Sequence, residues 1–167
     1  MTPAIRAEAP GDAPVIGALI AAAFAASRHG DNGEAQIVDR LRAGGELAVS
    51  LLAERDGVIV GHVAFSPVTI ADGAPGWFGL GPVAVQADAR RQGIGAALIE
   101  AGLAALRSRN AAGCVVLGDP RYYARFGFTA DPALAYQSAP REYFQALVLA
   151  GPPARGVVRY GPAFGGD

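Results

Sequence analysis

The sequence contains no lysine; all 14 of its basic residues are arginine. A Schiff-base or lysine-nucleophile mechanism is therefore excluded. The phosphate-binding P-loop is excluded as well, since its lysine must reach the β- and γ-phosphates, and a nucleotide-binding protein is disfavoured. The formal net charge is −1, without blocks of like charge. Nucleic acids usually bind clustered basic surfaces, so we expect no nucleic-acid partner.

Cysteine and histidine are equally scarce. The single cysteine, Cys114, excludes an internal disulfide and a thiolate zinc cage. The two histidines, His29 and His62, lack the i, i+4 spacing of a metalloprotease pair. Ser66 stands in Ala-Phe-Ser-Pro, which is not the context of a hydrolase nucleophile. We therefore expect no metal cofactor, and we interpret Cys114 as a small buried core residue.

Targeting and membrane-spanning signals are also lacking. The N-terminus does not show a basic segment followed by an apolar one, as a secretory signal would. No apolar run reaches about 18 residues, the length that a membrane-spanning helix requires. The sequence therefore predicts a cytoplasmic protein without a membrane partner.

What is present is the composition of a globular protein. A chain of 167 residues, 51% hydrophobic and 17% charged, fits a single domain over residues 1–167 with a sizeable core. The chain shows no internal repeat, low-complexity tract or linker. The fold class must therefore follow from its periodicities.

Periodicity and turn signals predict a mixed α/β domain of the α+β type, with a β-hairpin followed by a strand–helix–strand unit. Asp56-Gly57 is the dipeptide of a type I′ hairpin turn. The predicted elements are a strand at 3–8, a helix from Asp12, a helix at 34–42, strands at 47–55, 58–70 and 77–85, a helix at 93–109, a strand at 114–117, a helix from Asp119, and strands at 142–149 and 157–160.

The third of the long strands is interrupted by Gly81-Pro82. Proline lacks the N–H that a sheet ladder needs, so it is found at bulges and edges. A strand interrupted there is expected to separate from its neighbour and to leave backbone groups unpaired. A ligand in an extended conformation would supply partners for those groups, in the manner of an added strand.

The start of the long helix favours an anion. Its first turn leaves about four N–H groups without intrahelical partners, and the segment 90–95, Arg-Arg-Gln-Gly-Ile-Gly, has no Ser, Thr, Asp or Asn to cap them. Glycine lets a ligand approach the backbone, and the helix dipole with two guanidiniums favours an anion such as pyrophosphate. The alternative is an ordinary glycine-rich helix start with solvated arginines, because short glycine motifs are weak signals.

Two segments resemble motifs of the GNAT superfamily of N-acetyltransferases. Residues 90–95 resemble its acetyl-CoA-binding motif, Arg/Gln-x-x-Gly-x-Gly/Ala, and residues 122–128, Tyr-Tyr-Ala-Arg-Phe-Gly-Phe, resemble its Tyr-x-x-x-Gly-Phe segment. The whole chain is similar to a bacterial branch that carries Gly-Asp-Pro-x-Tyr-Tyr before Phe-Gly-Phe. The resemblance implies a GNAT-like acyl-CoA N-acyltransferase fold, with a central, mostly antiparallel sheet, a splayed strand pair and flanking helices.

The resemblance also implies a role for particular residues. Tyr123 would act as the catalytic acid that protonates the departing CoA thiolate. Backbone amides at the helix start would bind pyrophosphate, and the strand at Val83 and Val85 would pair with pantetheine, with an N–H near Val83 polarising the thioester carbonyl. The implied cofactor-binding residues are Val83, Ala84, Val85, Arg90, Arg91, Gln92, Gly93, Ile94, Gly95 and Ala96.

The base that deprotonates the acceptor amine stays open. Many members of the superfamily carry a glutamate near the start of the splayed strand, where this chain has Trp77-Phe78-Gly79. The candidates are His62, Glu34 and water, although a hydrogen-bonded strand histidine and a first-turn acid that suits the helix dipole are the plainer interpretations. Asp119 is interpreted as a helix N-cap, and Tyr122 as a packing residue.

The resemblance, together with these patterns, implies an acetyl-CoA-dependent N-acetyltransferase that moves an acetyl group to a primary amine by direct transfer in a ternary complex. The alternative is a non-catalytic acyl-CoA-binding or sensing module, which the missing glutamate favours and Tyr123 opposes. The acceptor is not identified, but residues 27–33 and 128–141 are expected to shape its pocket. Both a monomer and a homodimer fit the sequence.

Overall fold

The fold is described from a computed structural model of the chain, in which residues 3–27 and 30–165 are described. Its strands are β1 (Ala4–Ala7), β2 (Val49–Arg55), β3 (Val58–Ile70), β4 (Trp77–Val85), β5 (Gly113–Leu117), β6 (Leu134–Ala135), β7 (Phe144–Val148) and β8 (Gly156–Tyr160). Its α-helices are α1 (Ala13–Ala25), α2 (Glu34–Ala43), α3 (Ile94–Ser108) and α4 (Pro120–Tyr123).

The predicted elements are confirmed in type and order, with two corrections. The two-residue strand β6 was not predicted. The strand predicted at 142–149 began too early, because Arg141–Tyr143 forms a 3₁₀ turn before β7. None of the helices in the described ranges has the length and apolar character that crossing a membrane demands.

Hydrogen bonds place the strands in the order β1-β2-β3-β4-β5-β7, and β8 pairs with both β3 and β6. The pairs β1–β2, β2–β3, β3–β8 and β5–β7 are antiparallel, whereas β4–β5 and β6–β8 are parallel. The parallel pair β4–β5 is joined by α3, as a strand–helix–strand unit requires. The mixed, mostly antiparallel sheet is the one that the resemblance implies.

The described chain divides into two compact units, the first of which contains Met1–Phe65 and Gly81–Ala105. Its β2–β3 hairpin turns at Asp56 and Gly57, whose φ angles of 54° and 77° are both positive, as a type I′ turn needs. One core cluster joins α1, α2 and the sheet through Ile16, Leu19, Ile20, Ala23, Ala35, Val38, Leu52, Ala64 and Ala84.

Helix α3 packs on the other face of β3 through two glycines. A Cβ at Gly102 would lie 2.1 Å from Cε1 of Phe65, and a Cβ at Gly61 would lie 2.9 Å from Cδ1 of Leu98. Such contacts are closer than real Cβ atoms allow, so both positions need glycine for this helix–strand approach. The helix start is thereby held at a defined depth on the sheet.

The second unit contains Ser66–Leu80 and Leu106–Asp167. Its central strand is β5, which pairs with the first half of β4 on one side and with β7 on the other. Its core cluster consists of Val68, Ile70, Trp77, Val115, Leu134, Phe144, Ala146, Ala154 and Val158. This unit carries the segment with Tyr123.

Candidate active site

The pairing of β4 with β5 ends immediately before Gly81-Pro82. The register runs from Trp77 opposite Gly113 to Leu80 opposite Val116. Gly81 has a φ of +133° and is followed by a cis peptide bond; only glycine adopts such a φ readily. The end of the register agrees with the interruption that the proline predicts.

Beyond that point β4 runs on through the three residues expected to contact pantetheine. Ala84 is 3% exposed and packs in the cluster of α1 and α2. Side chains alternate along a strand, so Val83 and Val85 point to the opposite face, where both are half-buried. After the strand, the Gln86 N–H donates to the Val60 carbonyl at 2.8 Å, which fixes the end of β4 to β3.

The start of α3 presents backbone amides at an exposed glycine. The Ala97 N–H donates to the Gly93 carbonyl at 3.0 Å, so the N–H groups of Ile94, Gly95 and Ala96 precede the first helical bond. Gly93 is exposed and has a φ of +80°, and a Cβ built there would meet no atom within 4 Å. The amide groups expected to bind pyrophosphate are therefore accessible, while the Ile94 side chain, 2% exposed, anchors the turn.

The two arginines before this helix differ in their surroundings. Arg90 donates from Nη2 to the Ala23 carbonyl at 3.1 Å and from Nε to the Val85 carbonyl at 3.3 Å. It thus connects the last turn of α1 and the end of β4. Arg91 is exposed, with a φ of +64°. Both residues are exposed, but the Arg90 guanidinium is engaged by two carbonyl groups, so that of Arg91 is the better placed to face an anion.

The side chain of Gln92 is held within the protein. Its amide oxygen accepts a hydrogen bond from Nη1 of Arg55, and its Nε2 donates to the Asp88 carbonyl at 3.3 Å. Only the backbone N–H of Gln92 then matches the role that the resemblance implies for it.

Tyr123 lies at the end of α4, whose start is capped as predicted. The Asp119 carboxylate accepts the Arg121 N–H at 2.9 Å, which confirms that Asp119 is an N-cap. The Tyr123 ring makes edge contacts with Tyr122 and Phe128, at centroid distances of 5.0 and 6.0 Å. These contacts hold the ring in one orientation.

Burial is the main reason why the pKa of the Tyr123 phenol is raised to about 12, with smaller contributions from the Tyr122 phenol and the Cys114 thiol. The hydroxyl therefore carries its proton at physiological pH. Cys114 itself is a free, fully buried cysteine, which confirms its interpretation as a core residue. Burial also raises the pKa of its thiol, so it is not a nucleophile.

The neighbouring Tyr122 packs on the surface of the same segment. The Arg125 guanidinium lies 4.3 Å from the centre of its ring, and Phe126 lies 5.6 Å away in an edge contact. These contacts fit the packing role expected of Tyr122.

His62 belongs to a chain of polar groups that runs inward from a surface ion pair. Arg42 donates to both oxygens of Glu8, from Nε at 2.7 Å and from Nη2 at 3.0 Å. The Ser50 hydroxyl lies 2.7 Å from Glu8 Oε1 and 2.8 Å from His62 Nε2. A carboxylate only accepts, so Ser50 donates to Glu8, and His62 Nε2–H donates to Ser50.

This tautomer leaves His62 Nδ1 unprotonated and, within the described residues, without a hydrogen-bond partner. The side chain is 0% exposed, and burial lowers the pKa of His62 to about 4, against the opposing charge of Glu8. The environment is that of a neutral strand histidine with a hydrogen bond at Nε2 only. Because the side chain is buried, an acceptor amine in solution does not reach the imidazole.

Glu34, the other side-chain candidate for the base, acts locally. Its carboxylate accepts the Asn32 N–H at 2.8 Å, beside the start of α2. The loop at 27–33, expected to shape the acceptor pocket, includes Arg28 and His29, which lie outside the described residues.

The other segment expected near the acceptor, 128–141, contributes to a cavity of about 110 Å³ in the second unit. The cavity lies where β6 and β8 cease to pair, after Ala135 opposite Val157. Tyr136, Tyr160 and Phe164 line it, with ring centroids 5.2 and 5.0 Å apart. No local pattern in the sequence indicates this cavity, because it depends on pairing between distant segments.

Gly118 and Gln145 are two further residues that sequence reasoning missed. A Cβ at Gly118 would lie 2.5 Å from Cε2 of Tyr123, so the ring lies directly against this glycine. Gln145 is 1% exposed and bonds the Gly118 carbonyl. A glutamine inside an apolar strand, Phe-Gln-Ala-Leu-Val, is the signal that would have drawn attention to it.

The fold and the motif segments 90–95 and 122–128 are those of an acyltransferase. The chain belongs to the Acetyltransferase (GNAT) family, whose sequence profile matches residues 18–128. The protein described as uncharacterized N-acetyltransferase YhbS of Escherichia coli strain K12 is 42% identical over 125 residues, which are 74% of this chain and 72% of that protein.

Two solved structures are similar over almost the whole chain. A GNAT family acetyltransferase from Brucella melitensis in complex with acetyl-CoA has 45% identity and a TM-score of 0.86, covering 97% of both chains. YhbS from Escherichia coli in complex with CoA has 35% identity and a TM-score of 0.90, covering 99% of this chain and 93% of that one.

Proposed function

We propose that the protein transfers an acetyl group from acetyl-CoA directly to a primary amine in a ternary complex. The observation that carries this proposal is the accessible first turn of α3 at Gly93, in a chain similar over nearly its full length to proteins solved with acetyl-CoA and CoA. We further propose that residues 1–167 act as one N-acetyltransferase domain in the cytoplasm.

Acetyl-CoA binding uses the two open backbone segments of the first unit. Pyrophosphate is bound by the N–H groups of Gln92, Gly93 and Gly95, where the positive end of the helix dipole favours an anion. Arg91 adds its charge from the surface, whereas Arg90 holds the site together through the Ala23 and Val85 carbonyls. Pantetheine pairs with β4 at Val83 and Val85 as an added strand.

The chemical steps follow from the groups available. A neutral amine attacks the thioester carbonyl, which is polarised by the N–H near Val83, and a tetrahedral oxyanion forms. Its collapse breaks the C–S bond, and Tyr123 gives its proton to the thiolate. The nitrogen gives up its extra proton to solvent as the amide forms, and the Tyr123 phenolate takes one back from solvent. For an ammonium acceptor the products are the amide, CoA-SH and one released proton.

The raised pKa of Tyr123 bears on the proton transfer in two ways. A pKa of about 12 keeps the proton on the phenol before transfer, but it also makes the phenol a weaker acid. A thiolate that leaves beside the same buried ring is itself poorly solvated, which raises its own proton affinity. The two shifts act in the same direction, so desolvation of the thiolate offsets part of the acidity that the phenol loses.

The test is an acceptor panel assayed for free thiol. We expect purified protein with acetyl-CoA to release CoA-SH in the presence of at least one class of primary amine among small amines, aminoglycoside-like compounds, amino acids and protein amines. Release without amine measures simple hydrolysis and is subtracted. Binding of CoA without thiol release from any acceptor would instead indicate the acyl-CoA-sensing module, and absence of CoA binding would contradict both.

A further inference from the structure

Gln145 is a buried polar side chain for which the proposed mechanism gives no role. It lies on β7 opposite Val116 of β5 and is 1% exposed. Its Nε2 donates to the Gly118 carbonyl at 3.0 Å and, more weakly, to the Tyr143 carbonyl at 3.4 Å. Carbonyl groups only accept, so these two bonds determine which end of the amide is nitrogen.

The bond to Gly118 fixes the residue against which the Tyr123 ring lies. Gly118 also donates its own N–H to the Tyr143 carbonyl at 2.9 Å, so both of its backbone polar groups are bonded to the 143–145 segment. The Tyr123 ring is so close to Gly118 that a Cβ there would overlap Cε2 at 2.5 Å. A displacement of Gly118 would therefore displace the ring.

The segment that carries Tyr123 is attached to β7 at both ends, by different means. At its far end, Thr129 and Ala146 exchange two backbone hydrogen bonds of 3.0 and 2.8 Å, which any side chains would permit. At its near end, the Gly118 N–H has a backbone bond to the Tyr143 carbonyl, but the Gly118 carbonyl depends on the side chain of Gln145. Substitution at 145 therefore frees the Gly118 carbonyl alone, and the peptide can rotate about the bond that remains.

The amide at this position has both a cost and a gain. The Gln145 Oε1 atom is buried and has no hydrogen-bond partner among the described residues, and an unsatisfied buried oxygen opposes folding. The Nε2 atom, in return, supplies a donor to the Gly118 carbonyl, which an apolar side chain of similar volume would leave without one. What the amide adds at this place is therefore a hold on Gly118.

We propose that Gln145 is a positioning residue for Tyr123: its amide holds the Gly118 carbonyl, and Gly118 holds the phenol ring at the place from which it donates a proton. This rests on the proposed function, in which Tyr123 is the acid. Gln145 itself is not proposed to touch either substrate.

The positional part can be tested without an acceptor, by nuclear magnetic resonance. The α-proton of Gly118 that stands in the Cβ position points at the Tyr123 ring and should have a strongly ring-shifted resonance, which Tyr123→Ala should abolish. Gln145→Met should move this resonance measurably towards its unshifted position, because the Gly118 carbonyl is freed while its N–H stays bonded to the Tyr143 carbonyl. Glu142→Gln, the matched control, exchanges acid and amide at an exposed neighbour and should leave it in place. An unchanged Gly118 shift in folded Gln145→Met would overturn the proposal.

The functional part is a double-mutant cycle on turnover. A ring displaced by about 1 Å should lower kcat by about 10- to 100-fold, with little change in the KM for acetyl-CoA. In the Tyr123→Phe background, Gln145→Met should lower kcat no further, because the group that it positions is gone. Additive losses would overturn the positioning role while leaving Tyr123 as the acid. If Tyr123→Phe alone has no effect, the proposed acid is wrong, and the resonance test still decides whether Gln145 positions the ring.

Gln145→Glu separates the effect of the hydrogen-bond donor from the effect of side-chain volume. A carboxylate has no proton to offer the Gly118 carbonyl, whereas the neutral acid has one, and burial raises the pKa of such a group. The kcat of Gln145→Glu relative to the parent should therefore recover as the pH falls, while that of Gln145→Met should not. A constant ratio across the pH range would contradict the role of the donor.

Discussion

At the scale of single residues, Tyr123 combines a fixed ring with a phenol that keeps its proton. The ring contacts Tyr122 and Phe128 and lies against Gly118. Its pKa of about 12 arises mainly from burial. A fixed orientation reduces the cost of reaching the transition state, so these two properties suit a positioned acid.

Removal of the Tyr123 hydroxyl tests this role directly. Tyr123→Phe keeps the ring and its packing, so the free energy of unfolding and the affinity for CoA should change little. Turnover should fall by about 10²- to 10⁴-fold, the usual effect of losing a positioned acid. The measurement is kcat with an acceptor from the amine panel, on protein shown to be folded.

Tyr122→Phe is the matched control, because adjacent helical residues point about 100° apart. We expect it to retain near-normal turnover. An essential Tyr122 with a dispensable Tyr123 would move the acid by one residue. If neither hydroxyl matters, protonation of the thiolate by a tyrosine is refuted.

Single residues were predictable where their role is local. The N-cap at Asp119 follows from its place before Pro120, and the buried state of Cys114 follows from an apolar strand context. Gly118 and Gln145 escaped prediction because their partners, Tyr123 and β7, are brought to them by the sheet. No local sequence pattern marks a glycine against which the ring of a residue five positions away packs.

At the scale of elements, the sequence motif at 90–95 lies at the start of α3, where the first turn is exposed and its N–H groups precede the first helical hydrogen bond. The sequence predicts the helix and its missing cap, but not the backbone geometry. Gly93 has a φ of +80°, a region where a β-branched residue costs about 1–2 kcal/mol. Substitution of Gly93 would therefore disturb the helix start as well as the ligand, which makes Gly95, within the helix, the better probe.

A graded series at Gly95 should weaken CoA binding in the order glycine, alanine, valine. Helical side chains tilt towards the N-terminus, so methyl groups at 95 would enter the space before the turn where phosphate approaches. We expect Gly95→Val to weaken CoA about 10-fold or more, about 1.4 kcal/mol, by isothermal titration. Helix propensity does not oppose the change, since valine is a better helix former than glycine.

Ala97→Val provides the control for that series. Its N–H is already bonded to the Gly93 carbonyl, so the residue lies beyond the open turn. Equal losses of affinity at 95 and 97 would indicate a general effect on α3, and unchanged affinity in Gly95→Val would move the phosphate site elsewhere.

The elements that could be predicted are those with a local cause. A few consecutive residues determine each of them: the Asp56-Gly57 turn, the interruption at Gly81-Pro82 and the periodicity of α3. Strand β6 has only two residues and exists through its pairing with β8, more than 20 positions away. Its absence from the prediction reflects this long-range origin.

At the scale of the whole molecule, the row of polar groups that ends at the buried His62 makes the free energy of unfolding depend on pH. Folding places His62 at 0% exposure and lowers its pKa to about 4, whereas an unfolded histidine has a pKa of about 6.5. Between these values the unfolded chain binds the proton and the folded chain does not. The free energy of unfolding must then fall as the pH falls through this window. The pKa of Glu8 is lowered by Arg42, so that its contribution is lost only at more acidic pH.

His62→Gln measures this dependence on His62 alone. Glutamine keeps an N–H for the Ser50 hydroxyl but has no titration. From pH 7 to pH 5, urea unfolding should show a loss of about 2 kcal/mol for the parent, from the difference between pKa values of about 6.5 and about 4. The variant should lose much less over the same interval, even if it is less stable at pH 7. His29 is common to both proteins and cancels in the comparison. Parallel curves would mean that His62 titrates in the folded protein as it does in the unfolded chain. Solvent would then reach the imidazole, and His62 would again be a candidate for the base that deprotonates the acceptor amine.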